Sequence, residues 1–231
     1  AGDSAGYTMA SGDFNGDGYG DILAGAYSAN AAYLIYGSAT AFAGAYNLAD
    51  ADVVLSGTGS FGSTVASLGD VDGDGTDDFA VGAYSATANY SSEGQGFLFF
   101  SSYGALSSTV SSNEATQIWS GNGSSNWLGY YPQGLNGAGD MDGDGTADYA
   151  VASDWTNYTS DGVRGGVYFT YGDVSLGSGS YTVDGDEDFE FIGTGSSWNY
   201  FGDTNVPLGD VTGDGYDDFF IGAKGDGTGY I

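Results

Sequence analysis

The sequence predicts an all-β fold built from repeated four-stranded units, a β-propeller. Three observations lead there. Four segments align without gaps: Ser11–Ala26, Leu68–Ala83, Ala138–Ser153 and Leu208–Ala223. Their first aspartates, Asp13, Asp70, Asp140 and Asp210, stand 57, 70 and 70 residues apart, room for one four-stranded sheet per repeat. Between Gly, Ser and Asn breakers the chain carries short β-branched and aromatic runs, and nowhere a useful stretch of 3.6-residue periodicity. Gly supplies 44 of 231 residues, a density that opposes helix and suits tight turns and close sheet packing. A β-solenoid is the competing architecture, but its rungs of ~20–30 residues are too short for these periods.

Each element follows in order within a repeat. A first strand, opened by Phe61-Gly62, Leu128-Gly129 or Phe201-Gly202, leads into an aspartate-rich loop. A second strand leaves the loop, as in Asp78-Phe79-Ala80-Val81. About a dozen residues later comes an aromatic third strand: Ala32–Tyr36, Gly96–Phe100 and Gly166–Tyr171. A short fourth strand ends in Gly: Asp52–Gly57, Thr116–Gly121 and Asp188–Gly193. The units are expected at about 1–57, 58–121, 122–193 and 194–231. The last reaches only Gly229-Tyr230-Ile231, the start of a third strand, so a longer polypeptide or a second copy is expected to complete the assembly.

Charge and composition exclude several function classes. Two basic residues against 31 acidic ones give a formal charge of −29, which repels phosphate backbones and anionic lipid. Neither nucleic acid nor direct membrane insertion is expected; no apolar run approaches the ~18 residues of a membrane span. Without Cys or His there is no disulfide, no Cys/His zinc site and no Ser-His-Asp triad. Aliphatic residues are sparse for so charged a chain, but 19 Tyr and four Trp can build a core. The acid is also clustered, so folding with bound counter-ions is expected.

The clusters are the four loops. Oxygen-bearing side chains stand at positions 1, 3, 5 and 9: Asp13, Asn15, Asp17 and Asp21; Asp70, Asp72, Asp74 and Asp78; Asp140, Asp142, Asp144 and Asp148; Asp210, Thr212, Asp214 and Asp218. Position 6 is Gly each time, and position 7 (Tyr19, Thr76, Thr146, Tyr216) offers its carbonyl. Hard oxygens converging from one short loop suit Ca²⁺, which takes six to eight ligands at roughly 2.3–2.6 Å; Mg²⁺ keeps more of its water. Solvated Asp/Gly turns are the bland alternative, but four loops in one register favour about four Ca²⁺. An EF-hand is excluded, because position 12 is Ala24, Val81, Val151 or Ile221 rather than Glu.

The stretch from Phe61-Gly62 through the acidic loop to Gly82-Ala83 resembles the FG-GAP repeat of integrin alpha-subunit propellers and their bacterial relatives. The resemblance implies that the calcium loop joins the first and second strands of each blade, and that the loop positions above are ligands. Departures are Ala5-Gly6 and Leu128-Gly129 at the Phe-Gly position and Ala152-Ser153 at the closing Gly-Ala. Asn15 and Thr212 at position 3 imply weaker first and last sites. Family propellers commonly have seven blades, against four here.

The resemblance implies a calcium-stabilised, non-enzymatic adhesion or structural module, extracellular or at the cell surface, with a protein or glycan ligand. Self-assembly through open propeller edges is a further expectation. A carbohydrate-binding propeller is the alternative, with Trp127, Tyr130, Tyr131, Trp155, Tyr158, Trp198 and Tyr200 as candidate stacking rings; wedge-filling between blades is their structural explanation. A polysaccharide-active enzyme is a third reading, resting on Glu93, Glu114, Glu187 and Glu190, which show no paired pattern.

Overall fold

A computed structural model describes residues 2–40, 47–130, 134–153, 165–193, 200–225 and 227–231. Among them there is no α-helix, only three 3-10 turns at Tyr27–Ala29, Leu48–Asp50 and Ser112–Glu114. The strands in chain order are β1 (Met9–Gly12), β2 (Asp21–Ala26), β3 (Ala31–Ile35), β4 (Val53–Ser56), β5 (Phe61–Gly69), β6 (Asp78–Ala83), β7 (Gln95–Phe99), β8 (Thr109–Ser111) and β9 (Gln117–Ser120). They continue as β10 (Leu135–Gly139), β11 (Asp148–Ser153), β12 (Gly166–Thr170), β13 (Gly179–Thr182), β14 (Phe189–Ile192), β15 (Phe201–Gly209), β16 (Asp218–Ala223) and β17 (Thr228–Tyr230).

These form four sheets of three to five strands, in the orders β1-β2-β3-β4-β8, β13-β9-β7-β6-β5, β10-β11-β12-β14 and β15-β16-β17. Each sheet begins as an antiparallel meander, and each acidic loop closes its first hairpin: Gly12 faces Asp21, Gly69 faces Asp78, Gly139 faces Asp148 and Gly209 faces Asp218. In the last three sheets the register slips by one residue just before the loop, at Ser67/Gly69, Gly137/Gly139 and Pro207/Gly209. The glycine that ends each bulge has a positive φ of 79°, 79° or 66°, open to Gly at little cost. The bulged Leu68 and Ala138 point into the core.

Two strands were not foreseen. β8 and β13 lie between the third and fourth strands of their own sheets, yet each crosses to the previous sheet. β8 runs parallel to β4, with Val110 opposite Leu55, and β13 runs parallel to β9, with Tyr181 opposite Trp119. Both are too short and polar, TVS and GSYT, to show period-2 alternation in the sequence. Neighbouring sheets are therefore stitched together by backbone hydrogen bonds as well as by packing.

The core lies between consecutive sheets as three apolar clusters, in agreement with four repeats that bury their faces on one another. Aromatic rings carry each junction. Phe79 stacks on Phe99 at 5.1 Å and meets Phe14 edge-on at 5.3 Å; Trp119 stacks on Tyr181 at 5.1 Å; Phe169 stacks on Phe189 at 4.8 Å and meets Phe219 edge-on at 5.0 Å. Each such pair adds roughly 0.5–1.5 kcal/mol to its area burial. Where sheets one and two approach most closely, glycine is obligatory. A Cβ on Gly62 would stand 2.1 Å from the Ala31 carbonyl oxygen, and one on Gly25 would stand 2.3 Å from that of Gly62. The two halves of the repeat thus meet across the junction, the Phe-Gly of one sheet against the Gly-Ala of the sheet before it.

Candidate metal centres

The acidic loops all lie at the same end of their hairpins, and hydrogen bonds shape each before any cation is considered. The position 1 carboxylate accepts the N–H groups of positions 5 and 6: Asp13 from Asp17 and Gly18 at 3.0 and 2.8 Å, Asp70 from Asp74 and Gly75 at 2.9 and 2.8 Å. Asp140 and Asp210 repeat this and also accept from Gly143 and Gly213. Position 5 accepts the position 7 N–H in every loop, and in the middle two Thr76 and Thr146 add their hydroxyls at 2.5 and 2.6 Å.

Position 9 anchors the loop to the sheet. Asp21, Asp78 and Asp148 are buried, and each splits its two oxygens. One accepts the position 2 N–H, from Phe14, Val71 or Met141, at 2.7–2.9 Å. The other accepts an N–H just beyond the third strand, from Gly37, Ser101 or Gly172, at 2.6–2.8 Å. Asp218 is less buried and accepts from Val211 and Thr212 through one oxygen.

In the second and third loops three carboxylates converge. One oxygen each of Asp70, Asp72 and Asp78, and of Asp140, Asp142 and Asp148, lie within 4.8 Å of one another. Ligands at about 2.4 Å on opposite sides of one ion stand ~4.8 Å apart, so these oxygens fit a single calcium-sized sphere. The three carboxylates also oppose one another's charge. Burial pushes the Asp78 carboxyl up to about 8, and the charges of Asp72 and Asp70 add to the shift against two N–H donors. Burial likewise raises Asp148 to about 6, with Asp142 and Asp140 contributing. Asp21 and Asp72 are raised in the same direction, burial leading. A bound dication would reverse this balance by stabilising the ionised forms.

The first and fourth loops lack the third carboxylate. Asn15 accepts the Asp17 N–H at 3.0 Å and turns its amide toward the Asp17 carboxylate at 3.3 Å. The backbone N–H of Thr212 donates to Asp218 at 2.9 Å. Position 5 side chains stand outside the three-carboxylate groups and are held by the position 7 N–H. Donor convergence therefore separates two acid-rich loops from two in which a neutral residue takes position 3.

Position 8 was missed by sequence reasoning. The Asp77 N–H donates to the Asp13 carbonyl at 3.1 Å, and the Asp77 carboxylate accepts the Asp13 N–H at 2.8 Å. Asp217 and Asp140 make the same reciprocal pair, at 3.0 Å each way, and Ala147 donates its N–H to the Asp70 carbonyl at 2.9 Å. Each loop is thus tied to the next across the sheet junction. The signal was present as the doubled aspartate of Thr76-Asp77-Asp78 and Tyr216-Asp217-Asp218, where only the second was read.

At the opposite end of the hairpins Tyr7, Tyr27, Ser63, Tyr84 and Tyr130 line a cavity of about 100 Å³. Tyr7 meets Tyr27 edge-on at 5.1 Å, Tyr84 meets Tyr130 at 4.8 Å, and Trp127 packs on Tyr130 at 5.3 Å. Tyr200 is not among the residues lining this cavity, while Tyr131, Trp155, Tyr158 and Trp198 fall outside the described residues. Three of the four leftover glutamates serve the fold. Glu93, fully buried, accepts three N–H groups, from Ala88, Asn89 and Tyr90; Glu114 completes a capping box with Ser111; Glu187 accepts from Gly185 and Asp186.

No helix among the described residues is long and apolar enough to cross a membrane. The family model for the FG-GAP repeat matches residues 5–44 and 61–99, which contain the first and second acidic loops with their hairpins. The hairpins around the third and fourth loops keep the same strand pairing and the bulge of the second. Repeat spacing, loop chemistry and sheet pairing agree with the two matched segments: the chain carries FG-GAP repeats at residues 5–44 and 61–99.

Proposed function

We propose that this chain is a calcium-stabilised, non-enzymatic β-propeller segment that serves adhesion or scaffolding outside the cell, with the four sheets as its blades. The observation that carries the reading is the convergence of Asp70, Asp72 and Asp78, repeated by Asp140, Asp142 and Asp148. Three mutually repelling carboxylates at hairpin ends suit a dication, and exterior fluids supply calcium at the levels that loop sites need. In this reading positions 1, 3, 5 and 9 and the position 7 carbonyl bind one Ca²⁺ per loop. FG-GAP domains generally act as structural or adhesive modules, and integrin members engage protein ligands; an equivalent protein ligand is the natural partner here. Glu93, Glu114 and Glu187, three of the four glutamates that an enzyme reading would recruit, are occupied as turn staples, which supports the non-catalytic reading.

The test is thermal unfolding followed by circular dichroism in calcium and in chelator. Calcium at 100 times its Kd adds about 2.7 kcal/mol per independent site. The midpoint should fall by many degrees in chelator, most at low ionic strength; an unchanged midpoint would refute the structural role.

The tyrosine-lined cavity favours a second reading, a glycan ligand. Its four rings lie at the end of the hairpins away from the acid, where apolar faces could meet a sugar. A glycan array on calcium-loaded protein tests it, with Tyr84→Ala as the control for binding at this site.

A further inference from the structure

Neighbouring acidic loops meet through one peptide group. The position 7 carbonyl and the position 8 N–H belong to the same planar trans unit, so they point in opposite directions. The N–H side reaches the preceding loop at each junction. Asp77 donates to the Asp13 carbonyl at 3.1 Å, Ala147 to that of Asp70 at 2.9 Å, and Asp217 to that of Asp140 at 3.0 Å. Each acceptor is position 1 of its loop, whose own carboxylate gathers the N–H groups of positions 5 and 6. Asp77 and Asp217 add a second hold, accepting the N–H of Asp13 at 2.8 Å and of Asp140 at 3.0 Å. Ala147 has no carboxylate with which to do the same for Asp70.

The glycine before each of these loops makes room for the neighbour's position 8 side chain. A Cβ on Gly12 would stand 2.9 Å from the Asp77 carboxylate, one on Gly69 2.8 Å from the Ala147 Cβ, and one on Gly139 2.1 Å from the Asp217 carboxylate. Position 8 therefore occupies the same place at all three junctions, and the middle one lacks only the acid.

We propose that position 8 couples calcium binding between neighbouring loops, and that its two aspartates divide the row into pairs, first with second and third with fourth, joined by a weaker link at Ala147. This rests on the calcium reading, with the position 7 carbonyl as a ligand. An ion held by the Thr76 carbonyl fixes that peptide group and polarises it, which strengthens the Asp77 N–H bond to Asp13. The Asp77 carboxylate then fixes the Asp13 backbone from its other side, so position 1 of the first loop is preorganised for its own ion. By linkage the effect runs equally in reverse. Charge acts against it, because a dication in one loop weakens the negative field that draws the next. That opposing effect is common to all three junctions, so the Ala147 junction shows it with the backbone hold alone. Each pair joins an acid-rich loop to one with a neutral position 3, Asp72 with Asn15 and Asp142 with Thr212. The aspartates thus lend affinity to the loops that lack a third carboxylate. Asp77 and Asp217 are positioning residues, acting through position 1 and standing outside the converging groups.

The test is a coupling ratio, measured on the full chain by native mass spectrometry across a calcium titration. Asp142→Ala and Asp214→Ala disable the third and fourth loops. The affinity of the first loop is then compared with the second loop intact and with it disabled by Asp72→Ala. An intact second loop should raise that affinity about fivefold, the value of one hydrogen bond. Asp77→Ala should cut the ratio to about twofold or less, and Asp77→Asn, which keeps an acceptor, should restore most of it. A merely structural residue would lower the affinity with the second loop filled or empty alike and leave the ratio unmoved. With the first and fourth loops disabled instead, by Asp17→Ala and Asp214→Ala, the second loop should raise the affinity of the third by about twofold or less, and Ala147→Asp should bring that ratio toward fivefold. Circular dichroism in calcium confirms that each variant is folded. Equal ratios at the two junctions, a ratio unmoved by Asp77→Ala, or no gain from Ala147→Asp would overturn the pairing while leaving calcium binding in place. Absence of bound calcium in the unaltered chain would overturn this proposal and the calcium reading together.

Discussion

Asp13 and Asp77 hold each other in a two-way clasp: the Asp77 N–H donates to the Asp13 carbonyl at 3.1 Å, and the Asp77 carboxylate accepts the Asp13 N–H at 2.8 Å. The first residue of one acidic loop is thereby fixed by the eighth residue of the next. Calcium in one loop would steady its neighbour through the clasp. Asp77→Ala removes the carboxylate half and is expected to cost about 1–2 kcal/mol. Chemical denaturation in calcium measures the loss, and Asp77→Asn, which keeps an acceptor, should recover part of it.

Asp72→Ala separates ligand from turn residue. Asp72 accepts a long loop bond from the Asp74 N–H at 3.2 Å, and burial and its neighbours oppose its charge. The variant should lose one bound calcium and melt lower in calcium, yet melt unchanged or slightly higher in chelator. Equal loss in both conditions would mark Asp72 as a turn residue only.

The pH dependence should change sign with calcium. Without it, the folded carboxyls of Asp78, near 8, and Asp148, near 6, lie above their unfolded values. The folded state then binds more protons than the unfolded one above the ordinary value of 3.8, so stability present at acid pH is lost as pH rises from there, through about 6 for Asp148 and about 8 for Asp78. With calcium these groups must ionise to bind, so affinity and stability should rise with pH. Melting curves from pH 5 to 8.5, with calcium and with a chelator effective across that range, check both slopes.

Gly62→Ala tests the sheet junction. The new Cβ would meet the Ala31 carbonyl at 2.1 Å with φ at +88°. A backbone carbonyl cannot yield as a side chain can, so the expected loss is ~3 kcal/mol or more. Gly104→Ala, at φ +115° with open space around its Cβ, keeps the conformational strain without the clash and should cost less.

The repeat pattern made the hairpins legible before any coordinates. Asp13, Asp70, Asp140 and Asp210 mark a loop whose flanking strands alternate clearly, and β5 and β6 lie where that pattern puts them. β8 and β13 were illegible because their pairing is with another sheet; Thr109-Val110-Ser111 has no local reason to be a strand. Asp77 was hidden by the same cause, since its partner lies 64 residues away in the preceding loop. At the sites, residue spacing identified the donors, but it did not show that the two oxygens of Asp78 are already shared between Val71 and Ser101. Nor did it show how far burial opposes that charge.

The central claim is that the loops bind calcium as built sites, graded by position 3. Native mass spectrometry of the protein across a calcium titration tests it most directly. Two ions should bind first, at the loops of Asp72 and Asp142, and two more weakly at those of Asn15 and Thr212. Asp72→Ala should abolish one tight step while leaving the other. No bound ion, or a smear of adducts that is the same for Asp72→Ala, would contradict the account.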